Sequence, residues 1–236
     1  MKNYELVLQQ VEADLAAGRL RLGGRLPGER ALAEQLGISR PSVREAVRVL
    51  EALGVVRTAT GSGPEAGAVI VAEPAAPLTA LLRLHLATSH LPMQDIVQTR
   101  VLLESWSARE AAARFGSDTG LQLAEAEGLL ERMDADGLSP EEFHLLDAEF
   151  HVALAGLAGN VLIAAVMGSL RSAIHQYVLA AVPNLPDWDA TAVALRAEHH
   201  GIVAAIRSGR GEDAAQLVTE HIEGFYRAAR LSSPTW

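Results

Sequence analysis

Two sets of side chains in this sequence have types and spacings that could do chemistry. Asp147 and His151 stand four residues apart, so a helix would place them on one face. His199 and His221 follow in two later helical stretches. One carboxylate and three imidazoles from three helices could converge on a divalent ion inside a bundle. Histidine is used eight times, and His85, His90, His144, His175 and His200 have no assigned role. Taken singly, each histidine fits a surface or hydrogen-bonded core position just as well. The second set is basic. Arg40, Arg44 and Arg48 recur every four residues. Behind them runs an apolar stripe of Val43, Ala46, Val47, Leu50 and Leu53. Such a helix suits the major groove of DNA. A solvated amphipathic helix is the plainer reading of the same spacing.

The elements that must position the arginines lie between Leu26 and Arg57, LPGERALAEQLGISRPSVREAVRVLEALGVVR. Leu32 and Leu36 mark a first helix, and Gly37 supplies the turn, where a residue tolerant of positive φ is needed. Ser39 can cap the second helix, and Pro41 falls in its first turn, where a missing N–H costs little. Asn3 to Ala17 predicts a preceding helix striped by Leu6, Val7, Val11 and Leu15, ended by Gly18. Val55 to Ala59 and Ala68 to Ala72 are short apolar runs around a Gly-rich tip, Thr60 to Gly67. They read as a two-stranded wing, whose Gly61 and Gly63 could bring backbone N–H groups close to phosphate.

The 236 residues are comfortable for two domains, and an apolar fraction of 49% is ample for packed cores. Abundant alanine with only 4% aromatics favours closely packed helices. The lack of cysteine excludes disulfides and thiolate metal sites, and fits a reducing cytoplasm. No secretory signal pattern is present in MKNYELVLQQ. The formal net charge of −9 is unevenly spread. Residues 1–72 carry 9 Lys+Arg against 8 Asp+Glu, and the remaining 164 carry 11 against 21. Local field rather than total charge decides approach to a groove, so an acidic body joined to a near-neutral basic-helix unit remains compatible with DNA.

Glu73 to Pro77 reads as a short linker, giving an N-terminal domain of residues 1–72 and a second domain of 78–236. Beyond it the pattern predicts about seven helices, near 78–90, 93–115, 118–134, 140–158, 161–182, 188–208 and 211–229. Ser139-Pro140-Glu141-Glu142 is a capping box with proline at the first helical position. Gly116-Ser117, Gly137, Gly159-Asn160, Pro183 to Pro186 and Gly209 to Gly211 supply breaks. Val152 to Leu170 is nearly long enough to span a bilayer, but Gly159-Asn160 interrupts it; two core helices joined by a tight turn are expected, and no membrane. The expected fold is mainly α: a winged helix-turn-helix followed by an all-α bundle.

The first 72 residues resemble the DNA-binding domain of GntR-family bacterial transcription regulators, through GRLRLGGRLPGERALAEQLGISRPSVREAVRVLEALGVVR and the glycine wing. The resemblance implies DNA contacts at Arg30, Ser39, Arg40, Ser42, Arg44 and around Gly61. Gly28 stands where the family usually has Ser or Ala, and the wing is several residues longer than the common form. The second domain resembles the FCD ligand-binding domain of the FadR subfamily. The matching segments are TRVLLESWSAREAAARF, DAEFHVALAGLAGN and EHHGIVAAIRSGRGEDAAQLVTEHI. The family metal ligands fall on Asp147, His151, His199 and His221 with all four residue types intact.

The resemblance thus implies one divalent ion per chain, zinc by default with nickel or manganese as alternatives, and a small carboxylate effector. A second anchor for that carboxylate falls on Arg100 and Asn160, which match the family pattern, with Arg171 a further candidate. Arg100 also stands one turn before Glu104 and could instead be held in a salt bridge. The implied protein is a cytoplasmic repressor, a homodimer on double-stranded DNA bearing a palindromic operator. Effector binding would bias the placement of its two DNA-binding domains. Two rivals remain. One is a metal-dependent hydrolase with an Asp/His₃ centre and Glu149 or Glu198 as general base, although both sit only one or two residues from a ligand and should point away. The other is an effector-free DNA-binding protein whose metal is structural.

Overall fold

The computed structural model describes residues 3–59, 67–88, 91–115 and 120–229. The chain divides into two compact units, residues 1–78 and 79–236.

In the first unit, α1 (Asn3–Ala16), α2 (Glu29–Leu36) and α3 (Arg40–Ala52) precede an antiparallel pair, β1 (Val56–Ala59) and β2 (Gly67–Ile70). The α2–α3 turn forms as local chemistry dictates. Gly37 takes the left-handed conformation at φ 65°, and the Ser39 hydroxyl accepts from the Ser42 N–H at 3.3 Å. Val7, Val11, Leu32, Val43, Ala46, Leu50, Val56 and Ile70 share one core. Leu53 departs from the expected stripe: it is the C-cap of α3 and 50% exposed. The wing is tied to the helix by Glu51, which accepts from the Thr58 N–H at 3.0 Å. Residues 60–66, with Gly61 and Gly63, lie outside the described residues, as do His90 and Gly116-Ser117.

Helix α4 (Ala75–Ala87) starts inside the stretch expected to be a linker, with Pro77 in its first turn, where no N–H is needed. Then follow α5 (Met93–Arg114), α6 (Gly120–Met133), α7 (Pro140–Leu157), α8 (Val161–Ala181), a 3₁₀ turn (Val182–Asn184), α9 (Trp188–Arg207) and α10 (Gly211–Ala228). The expected seven helices are all present, within a few residues. The capping box at Ser139 and Glu142 opens α7. Helix α8 and its 3₁₀ extension are apolar and long enough to cross a bilayer. Yet α8 buries Arg171 along with Met167, Leu170, Ala173 and Ile174, as a core helix of a bundle does. Phe143, Phe150, Leu154, Ile202, Ile206, Val218 and Ile222 join them in one core. The principal packings are α5 against α10, α6 against α7, α7 against α8, α9 against α10 and α5 against α7. Helices α5, α7, α9 and α10 are therefore brought together, and every candidate ligand lies on them.

Candidate functional site

Helix α7 presents Asp147 and His151 one turn apart, α9 presents His199, and α10 presents His221. All four are buried, and one donor atom from each lies within 4.8 Å of the others. The atoms form a ring. His151 Nε2 and His221 Nε2 are 3.1 Å apart, and His221 Nε2 and His199 Nε2 are 3.3 Å apart. Asp147 Oδ1 lies 3.1 Å from His199 Nε2 and 3.5 Å from His151 Nε2. Ligands about 2.0–2.2 Å from a shared divalent ion would be separated by roughly 3.0–3.5 Å. The ring has that spacing.

Carboxylates stand behind two of the three imidazoles and help turn their Nε2 atoms towards the ring. His221 Nδ1 donates to Glu198 Oε2 at 2.7 Å. His151 Nδ1 abuts Glu104 Oε2. A carboxylate behind an imidazole holds the proton on Nδ1 and turns the Nε2 lone pair inward. Two inward lone pairs 3.1 Å apart repel unless a proton or a cation lies between them. The donor set and its backing both suit a divalent ion.

Charge balance inside the bundle is close. Glu104 Oε1 accepts from Arg100 Nε at 2.8 Å, and Arg100 Nη1 donates to the Tyr226 hydroxyl at 2.9 Å. Asp147 Oδ2 is bonded by Arg171 Nη2, leaving Oδ1 on the ring. Arg100 and Glu104 are 3% and 4% exposed. Burial alone would raise the Asp147 and Glu104 carboxyls, but Arg171 and His151 beside the first, and Arg100 and His151 beside the second, hold both well below the usual range. Burial pushes His199 down to about 3, aided by His221, and lowers His221 as well. His199 and His221 are thereby favoured in the neutral form that a ligand needs.

A cavity of ≈30 Å³ adjoins the ring, bordered by Arg100, His144, Asp147, Arg171, His221 and Tyr226 among others. It is sized for a few heavy atoms. Of the three expected anchors, Arg100 and Arg171 reach it, each already engaged by a carboxylate. Asn160 does not: it is exposed at the N-cap of α8, where its side-chain oxygen accepts from the Leu162 and Ile163 N–H groups. Reading the sequence missed Glu104 and Glu198 as supports of the ring and His144 as a wall of the cavity. His144 is three residues before Asp147, so helical spacing could have found it.

In the first unit, α3 carries Arg40, Arg44 and Arg48 on its exposed side. Arg44 leans towards Glu29 at 3.4 Å and Arg30 towards Glu34 at 3.6 Å, both well exposed. Ser39 and Ser42 are joined at the start of α3, with their hydroxyls 2.9 Å apart.

The model for bacterial regulatory proteins of the gntR family matches residues 3–65, and that for the FCD domain matches residues 95–224. The chain belongs to the GntR family of regulators and carries an FCD domain. It is 31% identical over 186 residues to the Glc operon transcriptional activator of Escherichia coli, covering 77% of this chain and 70% of that protein. It is 28% identical to the transcriptional regulator LutR of Bacillus subtilis, over 87% of this chain and 91% of that one. A solved GntR structure from Streptococcus agalactiae shares the fold, with a TM-score of 0.60 at 24% identity, over 96% of this chain and 98% of the other. The GntR assignment makes this chain a DNA-binding regulator and not an enzyme, in keeping with a cytoplasmic transcription factor. The carboxylates considered as catalytic bases fit that conclusion. Glu149 is exposed and 3.6 Å from Arg132, and Glu198 stands on the outer side of His221.

Proposed function

We propose that this regulator is a homodimeric repressor of the FadR subfamily that releases a palindromic operator when a small carboxylate binds beside a divalent ion in its FCD domain. Asp147, His151, His199 and His221 hold the ion, zinc by default with nickel or manganese as alternatives. Arg30, Ser39, Arg40, Ser42 and Arg44, with Gly61 of the wing, contact the DNA. The observation that carries the effector reading is the cavity against the ring, walled by two buried guanidiniums. The buried charges Arg100, Arg171, Glu104 and Asp147 already balance. A bound divalent ion adds two positive charges and a Lewis-acidic position for an oxygen ligand, and an anion offsets them. A volume of ≈30 Å³ favours a compact acid over an acyl-thioester. Arg100 and Arg171 are the protein groups that would orient it. The effector changes operator affinity only through unequal affinity for the DNA-bound and free arrangements of the dimer.

The relative named as a transcriptional activator favours a second reading, in which the acid strengthens productive DNA binding. The test is elemental analysis of the purified protein, then a thermal-shift screen of small carboxylates with and without chelator. DNA binding is followed on a duplex enriched from a random library. The expected result is about one divalent ion per chain and an acid that raises Tm only with metal present and weakens DNA binding. Strengthened binding selects the activator reading. Metal without any acid response makes the ring a structural staple and overturns the effector reading, leaving DNA binding intact.

A further inference from the structure

His144 is 4% exposed, and neither of its ring nitrogens has a hydrogen-bond partner among the described residues. It stands one turn before Asp147 on the same face of α7, and both line the cavity. The surrounding rings are aromatic. Trp188 and Phe225 lie with centroids 5.3 Å away and Phe143 at 5.9 Å. They fix the imidazole plane but offer its nitrogens neither a carboxylate nor a carbonyl. Buried polar groups left unpaired are costly and rare. The cavity supplies the space from which a partner can come. Its other polar walls differ in kind: Arg100 and Arg171 suit the carboxylate of an acid, whereas a neutral imidazole offers one N–H donor and one lone pair, suited to a hydroxyl or a carbonyl oxygen.

We infer that His144 is a specificity-determining residue that hydrogen-bonds a hydroxyl or carbonyl substituent on the effector, so that the cavity takes an oxygen-substituted carboxylate over the plain alkyl acid. This rests on the effector reading above. A plain acid satisfies the guanidiniums and leaves the imidazole unpaired, so it binds more weakly. Burial holds His144 down to about 4, so the ring is neutral at physiological pH.

The experiment uses the full chain loaded with zinc and two matched pairs of acids, glycolate with acetate and lactate with propionate, titrated by calorimetry. In the wild type the hydroxylated member of at least one pair binds about tenfold tighter or more, as expected of a site with a buried polar group to satisfy. His144→Leu brings that pair within about twofold without weakening the plain acid. His144→Asn, which keeps a donor and an acceptor, recovers part of the preference and serves if the leucine variant does not fold. Circular dichroism and metal content check both variants. Equal affinity within each pair in the wild type overturns the inference while the effector reading stands. So does a preference that survives in both variants, the result expected if a trapped water satisfies His144. Failure of every acid to bind the zinc-loaded wild type overturns both readings at once.

Discussion

Replacing Glu104 by glutamine tests the logic of the buried ring most sharply. Glu104 joins two functions: one oxygen accepts from Arg100 Nε at 2.8 Å and the other faces His151 Nδ1. Glutamine keeps the shape and one acceptor oxygen. With that oxygen towards Arg100, its NH₂ meets His151 Nδ1, and a donor there cannot face an N–H. The imidazole must move its proton to Nε2, the atom that faces His221 Nε2 at 3.1 Å. That proton occupies the ligand lone pair. Metal affinity should fall about 10–100-fold, equal to about 1.4–2.7 kcal/mol. Arg100 also loses its neutralising charge while 3% exposed. Its bond to the Tyr226 hydroxyl survives, so the stability cost should sit near the lower end of that for a broken buried pair, about 3 kcal/mol. Chelator competition reads the metal affinity, urea denaturation of the metal-free protein reads the stability, and imidazole nitrogen NMR reads the tautomer. Glu198→Gln is the internal comparison. Its carboxylate also backs a ligand, at 2.7 Å from His221 Nδ1, but is 46% exposed, so water can replace it and the loss should be under about tenfold. An unchanged His151 tautomer with metal affinity within about twofold of wild type would refute the reasoning.

Three further outcomes follow from the geometry. Arg44→Ala should weaken operator binding by about 1–3 kcal/mol if the guanidinium reads a base. It should leave thermal stability almost unchanged, because the exposed pairing with Glu29 at 3.4 Å is worth little; equal affinity in an anisotropy titration would remove it from the DNA contacts. Gly54→Ala should lower the melting temperature of the DNA-binding unit by the equivalent of about 1–3 kcal/mol. Its φ is 67° and an added Cβ would stand 2.2 Å from the Glu73 carbonyl oxygen, so an unshifted melt would contradict the close approach. The metal-free FCD domain should lose stability in mild acid. His144 and His199 lie at about 4 and about 3 when folded against 6.5 ordinarily, so the unfolded chain binds more protons throughout that window. Each then contributes up to about 1.4 kcal/mol per pH unit, lost as pH falls from 6.5 towards the folded values; a flat urea midpoint between pH 7 and pH 5 would count against both.

What the sequence made legible is what depends on neighbours along the chain. Gly37, Ser39 and Pro41 specify their turn, cap and first helical turn without help from the rest of the fold, and the Ser139–Glu142 capping box does the same for α7. The spacing of Asp147 and His151 likewise follows from one helix. Asn160 shows a local signal outweighing a pattern-based role: an asparagine directly before an apolar run is an N-cap, and its oxygen is spent on two backbone N–H groups of α8. The supports of the ring are different in kind. Glu104 was readable as a partner of Arg100 one turn away, but its second partner lies 47 positions further on, on another helix. Glu198 stands next to His199 in the chain yet serves His221 on α10. Which carboxylate backs which imidazole depends on the mutual register of α5, α7, α9 and α10, and no periodicity within one helix encodes that. The register follows from side chains such as Phe150, Ile202 and Ile222 interlocking in the core. A core substitution that slides α10 by a fraction of a turn would therefore disturb the site with all four ligands still present, because Glu198 would no longer hold His221 Nε2 towards His151.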